Sequence, residues 1–84
     1  MTRDQALAAI SAERDRQQAK WAGQHGWGSG DCSGDGVALT VKLTVLAEEF
    51  GEVARAVLER DPVALETELV QVAAVACAML EALP

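Results

Sequence analysis

Between Val37 and Glu59 the chain turns apolar with a helical rhythm. Leu39, Leu43, Leu46, Phe50, Val53 and Val57 return at alternating steps of four and three. Those steps keep one side chain per turn on a single stripe and predict a helix over residues 37–60 with a coiled-coil-like seam. Leu65, Leu69, Val72, Ala76, Met79 and Leu83 repeat the pattern, so a third helix is expected over residues 62–83. Asp61 and Pro62 separate the two, since Asp is a good N-cap and Pro favours the first helical position. So short a join makes helices two and three an antiparallel hairpin.

The N-terminal stretch over residues 1–20 reads as helix one, with Thr2 and Gln5 spaced as a capping box. Its seam opens with Leu7 and Ile10 but continues with Arg14, Gln17 and Trp21. Polar residues at core-facing positions beside a loop can line a pocket. Six of the seven glycines fall between Gly23 and Gly36, interleaved with Ser29, Asp31, Ser33 and Asp35. Residues 21–36 are therefore expected to form a loop without regular structure, long enough to take part in binding.

The expected fold class is thus all-α, with three helices in one domain over residues 1–84. Beyond Leu69 the third helix is apolar almost all round, and a single three-helix chain gives it too few neighbours. A chain of 84 residues also has little core of its own. Both facts point to self-association, in which a partner subunit completes a four-helix bundle. A net charge of −6 disfavours nucleic acid and anionic membranes as partners. The apolar run from Val72 to Leu80 is shorter than the roughly 20 residues that cross a bilayer. Cys32 and Cys77 form no CxxC pair and follow no secretory leader, which suits a cytoplasmic setting.

Two pairs of polar side chains interrupt the apolar pattern. Glu49 and Glu52 share a stripe roughly 80 to 140° from the seam of helix two, among Ala38, Lys42, Val45 and Ala56. Glu68 and Gln71 stand at a similar offset on helix three, among Ala64, Val75, Ala78 and Ala82. Acids in apolar stripes are costly to desolvate unless a cation or hydrogen-bond donors meet them. Packed together, the four side chains would offer hard oxygen ligands that suit Mg²⁺, or Mn²⁺ in its place, better than zinc. Glu48 points nearly opposite the seam, toward water. An isolated ExxE pair is most often a solvated helix face; the matched second pair is what gives this one weight.

The run Glu48-Glu49-Phe50-Gly51-Glu52 followed by Glu68-Leu69-Val70-Gln71 resembles the EExxE and ExxD motifs of the MazG-like, all-α nucleoside triphosphate pyrophosphohydrolases. The N-terminal run from Glu13 to Trp21, with Gln24 and His25 after it, resembles the small phage-associated and actinobacterial members. The resemblance implies a helical bundle assembled as a homodimer or homotetramer that uses Mg²⁺ to hydrolyse a (d)NTP to a (d)NMP and pyrophosphate. By motif position the metal ligands would be Glu49, Glu52, Glu68 and Gln71, with Glu49 or Glu52 also serving as base and Glu48 in a supporting position. Gln71 departs from the motif, which has Asp there, and an amide adds no charge.

Lys42, on the stripe of Glu49, is then the expected phosphate-binding residue, although a snorkelling surface lysine fits that position equally. Gln17, Lys20, Trp21 and Gln24 are candidates for holding the nucleobase, and Trp21 fits as well as a plug for the bundle end. His25 and Trp27 lie in the Gly-rich segment, and Arg55 with Glu59 reads as an exposed ion pair. The alternatives are a catalytically silent helical module that binds metal, nucleotide or its own copies, and an acidic mimic of nucleic acid. Against the mimic, the acids sit on inward stripes.

Overall fold

Thr2 caps the first helix through both halves of a capping box. Its Oγ1 accepts from the Gln5 N–H at 3.1 Å, and its own N–H donates to Gln5 Oε1 at 2.8 Å. The computed structural model describes all 84 residues, with α1 over Arg3–Lys20, β1 over Gln24–His25, β2 over Gly28–Ser29, α2 over Leu39–Leu58 and α3 over Pro62–Glu81. The chain is all-α in its main elements, and α2 and α3 form a closely packed antiparallel hairpin.

The turn between them begins with Arg60 at φ 54. Asp61 N–H reaches back to the Ala56 carbonyl and Arg60 N–H to that of Val57, the paired bonds of a Schellman ending. Asp61 then caps α3, its Oδ1 accepting from Ala64 N–H at 3.0 Å, with Pro62 in the first turn.

The hairpin is not closed by its large apolar residues. Ala56, Ala74, Val75 and Ala78 are its buried apolar residues; on the α2 seam Leu46 and Val53 are half-buried, while Leu43 is 60% and Phe50 66% exposed. Small side chains on the neighbouring stripes let the helix axes approach closely, while Leu39, Leu43, Phe50 and Val57 are left uncovered. Leu69 and Leu80 of α3, and Leu83 just after it, are exposed as well.

The Gly-rich segment also differs from expectation. β1 and β2 pair antiparallel, and Gly28 bridges on to Val37. Glycine makes this possible: a Cβ at Gly28 would stand 2.1 Å from the Gly36 oxygen, and one at Gly36 would stand 2.0 Å from the Ser29 oxygen. The density of glycine that argued against regular structure is what permits the two strands and the backbone at Gly36 and Val37 to close on one another.

α3 lies at the centre of the fold. α1 and α2 each pack on it and not on each other. By length and composition α3 is apolar enough to cross a bilayer, with mean hydropathy 1.7, where the run from Val72 to Leu80 alone suggested no such segment. A helix flanked on two sides in a small bundle meets the same criterion.

Candidate functional site

Because α1 and α2 diverge across α3, a cavity of about 460 Å³ opens between them. That volume lies within the range of small-molecule sites. Glu13, Arg16 and Gln17 of α1 form one wall, and Val41, Thr44, Val45, Glu48 and Glu49 of α2 form the opposite one. Gln71 and Val75 of α3 make the floor, while Trp21, His25, Trp27, Asp31 and Cys32 close the loop end.

The acidic end is built by α2 and α3. One terminal atom of the Gln71 amide lies 2.8 Å from Glu68 Oε2 and 3.0 Å from Glu49 Oε2, and the nitrogen placed there satisfies both acceptors. These three predicted residues therefore converge. Burial first, then the charges of Glu68, Glu48, Glu52 and Glu13, push the Glu49 carboxyl above its ordinary range. An opposite charge placed there would relieve both effects.

Glu52 stands apart, its side chain 46% exposed and 3.9 Å from the Arg55 guanidinium, which also pairs with Glu59 at 3.3 Å. No three His, Cys, Asp or Glu side chains stand close enough together to hold a metal by themselves. Two carboxylates and one amide oxygen do fit Mg²⁺, which commonly takes one or two protein carboxylates and completes its shell with water and substrate phosphates.

Lys42 occupies a different place from the one its stripe suggested. It is buried, donates from Nζ to the Gly34 carbonyl at 2.7 Å and does not line the cavity. Its charge is committed to fastening the Gly-rich segment to α2. The cation that lines the cavity is Arg16, half-exposed and paired with Glu13, its Nε donating at 2.6 Å. The charge of Glu49 also bears on Arg16. The spacing of Glu13 and Arg16, three residues apart on the face that carries Gln17, is the sequence signal for this pair.

At the loop end Trp21 meets His25 edge-on at 5.2 Å between ring centres and Trp27 at 6.3 Å. Both ring nitrogens of His25 are used: Nε2 donates to the Gly30 carbonyl at 2.7 Å, and Nδ1 accepts from Trp27 N–H at 3.3 Å. His25 is thereby an organiser of the ribbon. Lys20 and Gln24 do not line the cavity; Lys20 lies over the Trp21 ring, 5.3 Å from its centre, and Gln24 is exposed on β1. Burial, followed by the charge of Asp31, pushes the Cys32 thiol up, which disfavours a thiolate nucleophile.

Arg14 holds the loop end in place. Its Nη1 donates to Asp31 Oδ2 at 2.8 Å and to Gln17 Oε1 at 3.1 Å, and its Nε donates to Glu81 Oε2 at 2.5 Å. Asp31 in turn accepts from the backbone N–H and the hydroxyl of Ser33. One buried guanidinium thus joins α1, the loop and the end of α3. Burial works against ionisation of Asp31, but the bonds from Ser33 and Arg14 prevail and hold its carboxyl below the usual range.

No family model, curated protein or solved structure matches this chain.

Proposed function

We propose that the cavity is the active site of a Mg²⁺-dependent nucleoside triphosphate pyrophosphohydrolase, releasing a nucleoside monophosphate and pyrophosphate. The observation that carries this reading is the meeting of Glu49 with Gln71 and Glu68, the first two lining one end of a cavity whose other end is aromatic and Glu68 standing behind them. The motif resemblance of these acids points the same way.

A bound Mg²⁺ would screen the triphosphate from the acids and polarise the α-phosphorus centre. Glu49, held above the usual carboxylate range by burial and by its acidic neighbours, is suited to take the proton of the attacking water. Arg16 is the cation of the cavity for the outer phosphates. Trp21 and Trp27 would offer faces to the base, and Gln17, its oxygen engaged by Arg14, would have its amide nitrogen left to donate to a ligand. Glu48 lines the same wall as Glu49 and serves to orient water.

The catalytic unit is a homo-oligomer on this reading, with a second copy covering the exposed α2 seam and completing a four-helix bundle. Glutamates at both Leu43 and Phe50 are expected to weaken self-association at least about 30-fold in sedimentation equilibrium, since burying one large apolar anchor at an interface is worth ~2 kcal/mol or more. Unchanged association would place the interface elsewhere. Two free thiols support a cytoplasmic setting.

The direct test is pyrophosphate release from canonical and modified (d)NTPs with Mg²⁺ or Mn²⁺. Turnover abolished by EDTA is the expected result. Absence of turnover with every triphosphate would favour the second reading, a catalytically silent nucleotide- or metal-binding module, for which the outward placement of Glu52 speaks.

A further inference from the structure

Gln17 carries an amide of which the protein itself uses only one half. The residue is 9% exposed and lines the cavity. Its oxygen accepts from Arg14 Nη1 at 3.1 Å. Arginine has donors and no acceptor, so the oxygen and not the nitrogen must face it, and the orientation of the amide follows from chemistry. The guanidinium that sets it is fixed in turn, being buried and bonded to Asp31 at 2.8 Å and to Glu81 at 2.5 Å. Arg14 stands outside the cavity lining and Gln17 within it, so the –NH₂ is turned to the cavity. That nitrogen has no partner in the protein and is not sealed off from the cavity space. Donors held in so buried a place are costly unless an acceptor meets them.

The neighbouring polar groups share this bias. Trp21 follows Gln17 one helical turn later, with Trp27 edge-on to it at 6.3 Å, and an indole N–H can only donate. The acceptors at the loop end are already engaged: the Asp31 carboxylate by Arg14 and Ser33, the Gly30 carbonyl by His25 Nε2, and His25 Nδ1 by the Trp27 N–H. Aromatic walls with unmet donors and engaged acceptors fit a planar ring that brings an acceptor on its own edge.

We propose that the aromatic end of the cavity recognises a planar heterocycle through a ring carbonyl, and that the Gln17 amide, locked by Arg14 as a donor, is the group that tells a keto from an amino substituent. The source of the ring rests on the nucleotide reading above, and on it the substrate class narrows to nucleotides of keto-bearing bases. An amino group at the same place sets donor against donor and leaves both unpaired.

Binding without metal or phosphate tests this, followed by nuclear magnetic resonance at the indole N–H signals of Trp21 and Trp27, the two tryptophans of the chain. Inosine is compared with adenosine, and uridine with cytidine, each pair differing chiefly in a keto or an amino group. In whichever pair binds, the keto member is expected to bind about tenfold tighter. Gln17→Glu keeps an oxygen for Arg14 but replaces the donor by an acceptor; it is expected to melt no lower than the parent chain and to erase or reverse the preference. Should Gln17→Glu not fold, Gln17→Met, which keeps the stem and has no donor, is expected to bind both members alike. A parent chain that binds both members alike, prefers the amino member or shifts neither indole signal with any of the four overturns the proposal, as does a preference that survives in a folded variant. Nucleoside binding does not depend on turnover, so this proposal and the pyrophosphohydrolase reading can fail separately.

Discussion

Arg14→Met is expected to lower stability by about 3–5 kcal/mol, the usual cost of breaking a buried ion pair from one side. Met retains most of the apolar stem, so the loss reports the guanidinium. It leaves Asp31, whose side chain is 8% exposed, facing the interior without its cation, whereas Glu81 at 43% can turn to water. In a domain of this size the change corresponds to a melting temperature lower by more than about 12 °C.

Acid should separate the variant from the parent further. The hydrogen bond from Arg14 to Glu81 outweighs its slight burial and lowers its carboxyl, as the Ser33 and Arg14 bonds do against burial for Asp31. Groups with depressed folded values contribute stability above their unfolded range, near pH 4, and lose it as pH falls through the lower folded value. The parent chain should therefore lose stability steeply below about pH 4, and Arg14→Met should lose less. Parallel acid profiles from thermal melts would show that Arg14 is not the group holding these carboxyls.

The second large effect falls on activity. Glu49→Gln is expected to reduce pyrophosphate release at least about 100-fold, since it removes both a metal-ligand charge and the proposed base. Stability should hold or rise, because Glu49 is the carboxylate raised by burial and by Glu68. A raised folded value means the ionised form opposes folding as pH climbs, and the amide lacks that charge. Retained turnover in Glu49→Gln would remove Glu49 from the chemistry; lost turnover with lost fold would leave the effect structural.

Much of the architecture was readable from residue order because it is local. The Thr2–Gln5 box and the Asp61-Pro62 start are decided within four residues, and the α2 and α3 patterns persist over several turns. The convergence of Glu49, Glu68 and Gln71 was likewise visible as matched offsets on two adjacent helices. Periodicity does not tell which stripe closes the hairpin. Leucines mark burial against something, and in the isolated chain alanines make the internal contact. Lys42 was misplaced for a related reason: direction on a helix does not tell whether a loop returns to accept its ammonium, as Gly34 does.

The ribbon was missed because glycine content normally signals freedom, and only the mutual approach of Gly28 and Gly36 turns it into pairing. Arg14 did leave a signal, an arginine at a seam position. Its two acids lie 17 and 67 residues away in sequence, and no pattern within one helix connects them.

That last separation has a bearing on how the protein folds. α1 precedes α2 and α3, yet among the helices it packs only on α3, and Arg14 ties it further to Asp31 and Glu81. The α2–α3 hairpin can form from near neighbours, whereas α1 must wait for α3 and close a long loop. The wall carrying Arg16 and Gln17 is thus held opposite the wall carrying Glu49 by contacts between distant parts of the sequence, the kind whose closure costs the chain most entropy.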